Sequence, residues 1–188
     1  MATDYSHAVR DALWPGRTPQ WSKLCAVLDG ARDDRIFPAV ERSRVDKCCL
    51  YAGRIPWILQ RAAPHLVVLD PADPLTNFLL DDGWGKSWGI YFRTEAPMMQ
   101  VRRHLRTLLR VKDESGRILI FRWYDPRVFR RYLPTCNSTE LATVFGPIQT
   151  FYCEAEDPSR LLQFGRSGDH LEHLSRTLGS NSNNAGKL

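Results

Sequence analysis

Leu24-Cys25-Ala26-Val27-Leu28 is an unbroken apolar run closed by Asp29-Gly30. A run this short, with a turn signal directly behind it, reads as a buried strand followed by a turn. Further along the chain, residues 36–44 put Ile36, Phe37 and Val40 on one side of a short helix, and residues 47–51 form a second strand. Pro56 precedes Trp57-Ile58-Leu59, which suits a helix with proline in its first turn over 56–62. A third apolar strand covers 66–69 and stops at Asp70-Pro71. A helix over 74–80 is ended by Asp82-Gly83, and a fourth strand covers 87–93.

The clearest periodicity lies in 95–109, where Met98, Val101, Leu105, Leu108 and Leu109 share one helical face. Arg102, Arg106 and Arg110 run along an adjacent face at intervals of four. The chain turns through Asp113-Glu114-Ser115-Gly116 into a strand over 117–124, so 109–124 reads as a β-hairpin. Asp125-Pro126 opens a helix through Leu133, with Asp as cap and Pro at the first helical position. A short helix over 139–145, a strand over 148–154 and a final helix over 169–178 complete the reading.

Strands separated by helices imply crossover connections. The fold class expected is α/β: a mixed, mostly parallel sheet with flanking helices and an antiparallel hairpin, in one domain or two small lobes. Residues 1–20 read as a flexible arm with one anchor, Ala12-Leu13-Trp14. The main domain spans 21–156, a helical extension 157–178, and a disordered tail 179–188.

Of 188 residues, 43% are hydrophobic and 25% charged, a globular balance. The net charge of +5 permits an acidic partner without demanding nucleic acid. The five cysteines, Cys25, Cys48, Cys49, Cys136 and Cys153, lie in or beside apolar runs with no metal-ligand spacing. They read as reduced, buried small hydrophobes in a cytoplasm. No stretch has signal-peptide character at the start or membrane-spanning length elsewhere, so neither secretion nor membrane insertion is expected.

The sequence holds no GxSxG, no GxxxxGK[ST] and no GxGxxG. Gly83-Trp84-Gly85 lacks the following helix of a phosphate loop. The histidines are scattered, apart from His170 and His173, and two do not fill a zinc site. No catalytic residue, metal or cofactor is therefore expected. Two alternatives stay open. Asp29, at the end of the first strand, could work with Asp125 in a small α/β enzyme of the paired-carboxylate kind, although Asp before Gly or Pro is ordinary turn and cap chemistry. The arginines at 102, 103, 106 and 110, and those at 122, 127, 130 and 131 near Trp123 and Tyr124, could track a nucleic-acid backbone.

A resemblance rests on seven segments taken in order. They are Ala26-Val-Leu-Asp-Gly-Ala-Arg-Asp33, Cys49-Leu-Tyr-Ala-Gly53, Ala63-Pro-His-Leu-Val-Val-Leu-Asp70, Gly83-Trp-Gly-Lys-Ser-Trp-Gly-Ile90, Arg102-Arg-His-Leu-Arg106, Phe121-Arg-Trp-Tyr-Asp-Pro-Arg127 and Phe145-Gly-Pro147. Together they resemble the adaptor domain of type VI secretion effector chaperones, long labelled only as a domain of unknown function. The resemblance covers about 23–154. It implies a non-enzymatic cytoplasmic adaptor that binds an effector toxin and helps seat it on the spike protein (VgrG). Residues Trp84, Trp88, Arg122, Tyr124, Asp125 and Arg127 are the candidates to contact effector or spike, since aromatic and arginine side chains anchor such interfaces. On a strand, Arg122 and Tyr124 would share one face, with Phe121 and Trp123 on the other. The bland alternative is arginine packed on an aromatic and paired to an acid.

Overall fold

The computed structural model describes residues 5–16 and 22–179. Its centre is a seven-stranded sheet, and every neighbouring pair in it runs antiparallel. The strands are β1 (Lys23–Asp29), β2 (Lys47–Cys49), β3 (Pro64–Val68), β4 (Gly89–Thr94), β7 (Ile148–Glu154), β8 (Arg160–Ser167) and β9 (His170–Thr177), in the order β2-β3-β1-β4-β7-β8-β9. Strands β5 (Arg110–Lys112) and β6 (Ile118–Ile120) make a separate two-stranded hairpin.

The mostly parallel sheet expected from the sequence is therefore wrong, and the reason is topological. Strands β1 and β2 do run the same way, as do β3 and β4, and helices do connect them. In each case, however, an antiparallel strand occupies the position between: β3 separates β1 from β2, and β1 separates β3 from β4. Strands of like direction are never hydrogen-bonded neighbours. The remaining connections, β7-β8-β9, form a meander.

Both faces of the sheet are covered. On one face, Cys25, Val27, Ile90, Phe92, Phe151 and Phe164 pack under α5 (Met98–Thr107), α6 (Pro126–Tyr132) and α7 (Ser138–Phe145). On the other, Leu24, Ala26, Leu28, Tyr91 and Tyr152 pack under α1 (Ser6–Leu13), α2 (Ile36–Arg42) and α4 (Pro74–Phe78). These clusters are two sides of one sheet, not two lobes. Double burial also explains why β1 reads as an unbroken apolar run, a pattern more usual for parallel strands.

Local signals place the helices. Asp73 and Asp125 cap α4 and α6 by accepting from Leu75 N and Arg127 N, each with proline following. Asn137 and Glu140 close a capping box on α7. A short helix, α3 (Trp57–Arg61), lies between β2 and β3.

Three further expectations change. The arm expected over 1–20 contains α1, whose Val9 and Leu13 are buried. Arg93 fastens its end by donating to the Leu13 carbonyl. Residues 1–4 and 17–21 lie outside the described residues, as does the tail from 180 on. The final helix expected over 169–178 is strand β9, paired with β8 along its whole length from Ser167↔His170 to Arg160↔Thr177. The strand expected to reach Tyr124 stops at Ile120. A turn over 122–125 then lets neighbouring Trp123 and Tyr124 both enter the core, so the expected sharing of one face by Arg122 and Tyr124 does not arise.

All five cysteines are free. Burial pushes the Cys25 thiol up to about 12 and raises the Cys153 thiol as well. No helix among the described residues is long and apolar enough to cross a membrane.

The sheet centre tolerates no side chain at Gly89, where a Cβ would stand 2.1 Å from the Val27 carbonyl oxygen. Gly89→Ala should lower the unfolding free energy by about 1–3 kcal/mol in a denaturant melt. Gly16→Ala, with open space around it, should change it by less than ~0.5 kcal/mol.

Candidate protein-binding site

One end of the sheet gathers the polar residues singled out from sequence. Asp29 ends β1, Gly89 begins β4 opposite Leu28, and Glu154 ends β7 opposite Leu161. Against this end lies the turn from β6 into α6. Arg122 reaches back from that turn to the buried Asp29 carboxylate, which also accepts from Ala31 N. Burial works against the Arg122 charge, but the hydrogen bond and charge of Asp29 outweigh it and hold the guanidinium protonated.

Asp125 is buried and does two jobs. It caps α6, and it receives Arg127 through two bonds, Nε at 3.0 Å and Nη2 at 2.6 Å. Burial alone would raise its carboxyl. The bonds from Arg127 and the charges of Arg127 and Arg32 reverse that and hold it below the usual carboxylate range. Tyr124 lies buried beside Asp29 and Tyr51. Burial first, then the Asp29 charge, raises its hydroxyl.

Glu154 was not singled out from sequence, yet it organises the glycine-rich loop. Its carboxylate accepts from Gly85 N at 2.6 Å, Ser87 N at 2.8 Å and Ser87 Oγ at 3.2 Å. Burial raises its pKa in spite of these donors. The loop bends through Gly85 (φ 84°) and Ser87 (φ 57°), the left-handed region that only the first of these adopts freely. Gly83 leaves room for the Trp88 ring, which a Cβ would approach to 2.4 Å.

The six candidate residues thus divide by burial. Trp84, Trp88, Tyr124 and Asp125 are buried. Trp84 donates from Nε1 to the Pro158 carbonyl at 2.8 Å, and Trp88 packs on Phe78 with Arg35 and Lys86 over its ring. These side chains serve the fold, though Asp125 also lines the open depression beside Arg127. Arg122 and Arg127 alone are substantially exposed, with 44% and 50% of their side chains open. Arg127 borders an open depression of about 680 Å³ that also takes in Arg130, Arg131 and Glu156. Asp29, Arg122, Tyr124, Asp125 and Arg127 do come together. The side chains of Trp84 and Trp88 stand apart, on the opposite face of the sheet.

The exposed apolar surface lies elsewhere. Helix α3 buries none of its residues; Trp57 is 62% and Ile58 68% exposed. The β5–β6 hairpin likewise buries nothing, with Ile118 at 62% and Ile120 at 63%. Leu59 and Ile120 line one groove of about 560 Å³ between these two elements. Sequence reasoning passed over both. The available signal was three consecutive apolar residues, Trp57-Ile58-Leu59 and Ile118-Leu119-Ile120, on elements too short to bury them.

Residues 24–143 match the family described as "Domain of unknown function (DUF4123)", and the chain belongs to that family. No curated protein and no solved structure matches the chain. The matched span runs from β1 to α7, while the sheet continues through β7, β8 and β9.

The Asp125–Arg127 pair has a pH signature. A carboxyl held below its unfolded value adds stability that is present above the unfolded pKa and lost as pH falls through the folded one. Asp125→Asn keeps a cap but loses the ion pair. The variant should melt below wild type at pH 7, and the gap should close as pH falls below about 4. Thermal unfolding monitored by circular dichroism across pH reads both.

Proposed function

We propose that this protein is a non-enzymatic adaptor that binds a type VI secretion effector toxin in the cytoplasm and helps load it onto the VgrG spike. The observation that carries the reading is the pair of elements, α3 and the β5–β6 hairpin, that expose large apolar side chains and bury none. Adjacent exposed apolar side chains of this size mark a surface made to be covered by another macromolecule. A two-stranded hairpin is marginal in water by itself, so a partner that covers it also stabilises it. The ordered motifs from Ala26 to Pro147, by their resemblance to the type VI adaptor domain, support the same reading. The two carboxylates of the enzyme alternative, Asp29 and Asp125, are each engaged by an arginine, which favours the structural role for both.

The test is co-purification with the toxin encoded beside it. A complex should form and survive ~0.5 M salt, where exposed charges are screened within a few ångströms. Binding to DNA should be weak and should fade steeply with salt. Trp57→Ala should weaken the toxin complex by on the order of 1–3 kcal/mol in calorimetry. Trp84→Ala should act through stability instead, costing about 3–5 kcal/mol. Salt-resistant DNA binding without toxin binding, or substrate turnover lost in Asp29→Asn, would overturn the adaptor reading.

A further inference from the structure

The groove between α3 and the hairpin has a charge as well as a shape. Its floor and walls include Leu50, Tyr51, Ile55, Leu109 and Ile120, and among the described residues its only ionised side chains are Arg106 and Arg110. Neither arginine forms an ion pair among the described residues. Arg54, in the loop before α3, is exposed on the same segment as Ala52 and Ile55, which line the groove. An apolar trough with unpaired guanidiniums and no carboxylate in its lining is complementary to apolar side chains flanked by acids. Arginine also pairs with carboxylates in a two-point geometry, which adds register to attraction.

From this we infer that the groove is the docking site for an acidic, apolar segment of the toxin. The inference deepens the adaptor reading and rests on it for the source of the segment. Two other occupants fit the chemistry less well. A second copy of this chain would bring a second pair of arginines against the first, because a two-fold contact opposes like surfaces. Of residues 1–4, 17–21 and 180–188, which lie outside the described ones, Asp4 is the one acidic side chain, so these segments offer two arginines little counter-charge.

Docking would place apolar side chains of the segment along Leu59, Leu109 and Ile120 and carboxylates against Arg106 and Arg110. The same contact would bridge α3 to the hairpin, two elements separated in sequence by β3, α4, β4 and α5.

The experiment uses the full chain and two probes. One is a fluorescent peptide with alternating leucine and glutamate faces; the other is its counterpart with lysine for glutamate. The acidic peptide should bind at least tenfold more tightly than the basic one. Ile120→Glu and the double variant Arg106→Glu/Arg110→Glu should each reduce that binding at least tenfold, while the double variant should improve binding of the basic peptide. All three positions are at least partly exposed, so the variants should keep the wild-type circular dichroism spectrum. In parallel, wild type and both variants are titrated with the neighbouring toxin. Toxin binding by wild type that the variants leave intact would refute the groove and spare the adaptor reading. Absence of toxin binding by wild type, with the peptide discrimination present, would refute the adaptor reading and spare the groove. Equal affinity for the two peptides would overturn the proposal. So would a dimer in sedimentation that Ile120→Glu dissolves, or DNA binding lost in the double variant while peptide binding persists.

Discussion

Strand β1 is buried from Leu24 to Asp29 on both faces and hydrogen-bonded along both edges, to β3 and to β4. Most of the architecture follows from that. A strand without a wet side requires a layer of helices above and another below, and the chain supplies α5, α6 and α7 to one and α1, α2 and α4 to the other. It also requires close backbone packing where β1 meets β4, which is why Gly89 faces the Val27 carbonyl with no room for a methyl group. Asp29, at the end of this strand, is a buried charge and must be compensated. Arg122 does this from ninety-three residues away, and in doing so draws the start of α6 and the base of the hairpin onto the sheet end.

A second buried carboxylate does the same work on the other side of that end. Glu154 gathers the amides of Gly85 and Ser87, so the loop before β4 is fixed by the end of β7. The glycine-rich motif thus finds its anion within the chain. Its tryptophans face inward, one to the Pro158 carbonyl and the other to Phe78. The charged cluster reads as the rivet of the fold, while α3 and the hairpin leave large apolar side chains uncovered.

The sequence was legible wherever structure is set locally. Asp73-Pro74 and Asp125-Pro126 announce α4 and α6 because cap and proline act within one turn. Strand positions from β1 to β7 were legible for the same reason. Strand direction was not, because it depends on which strand slips between two others, and nothing near β1 or β2 in sequence encodes the insertion of β3. The last hairpin was misread because Leu171, Leu174 and Leu178 fall at helical spacing. Pairing with β8 and stacking of His173 on Phe164 at 4.6 Å decide otherwise. Within the candidate site, the acid–arginine pairings followed from residue type, whereas burial of Trp84 and Trp88 depends on Pro158 and Phe78, contacts no motif contains.

The two margins of the sheet are unlike. Strand β2 is only three residues long, while β9 is eight and nearly all exposed, with His170, Glu172 and Arg176 along it. Brevity at one border and polar side chains at the other both discourage a foreign strand from extending the ladder. A molecule with uncovered apolar side chains benefits from such borders, which limit pairing through its backbone. Among the described residues, seven of the nine large apolar side chains left exposed sit on a short helix and a small hairpin, where shape and charge set what can pack against them, whereas an open backbone edge would accept almost any strand.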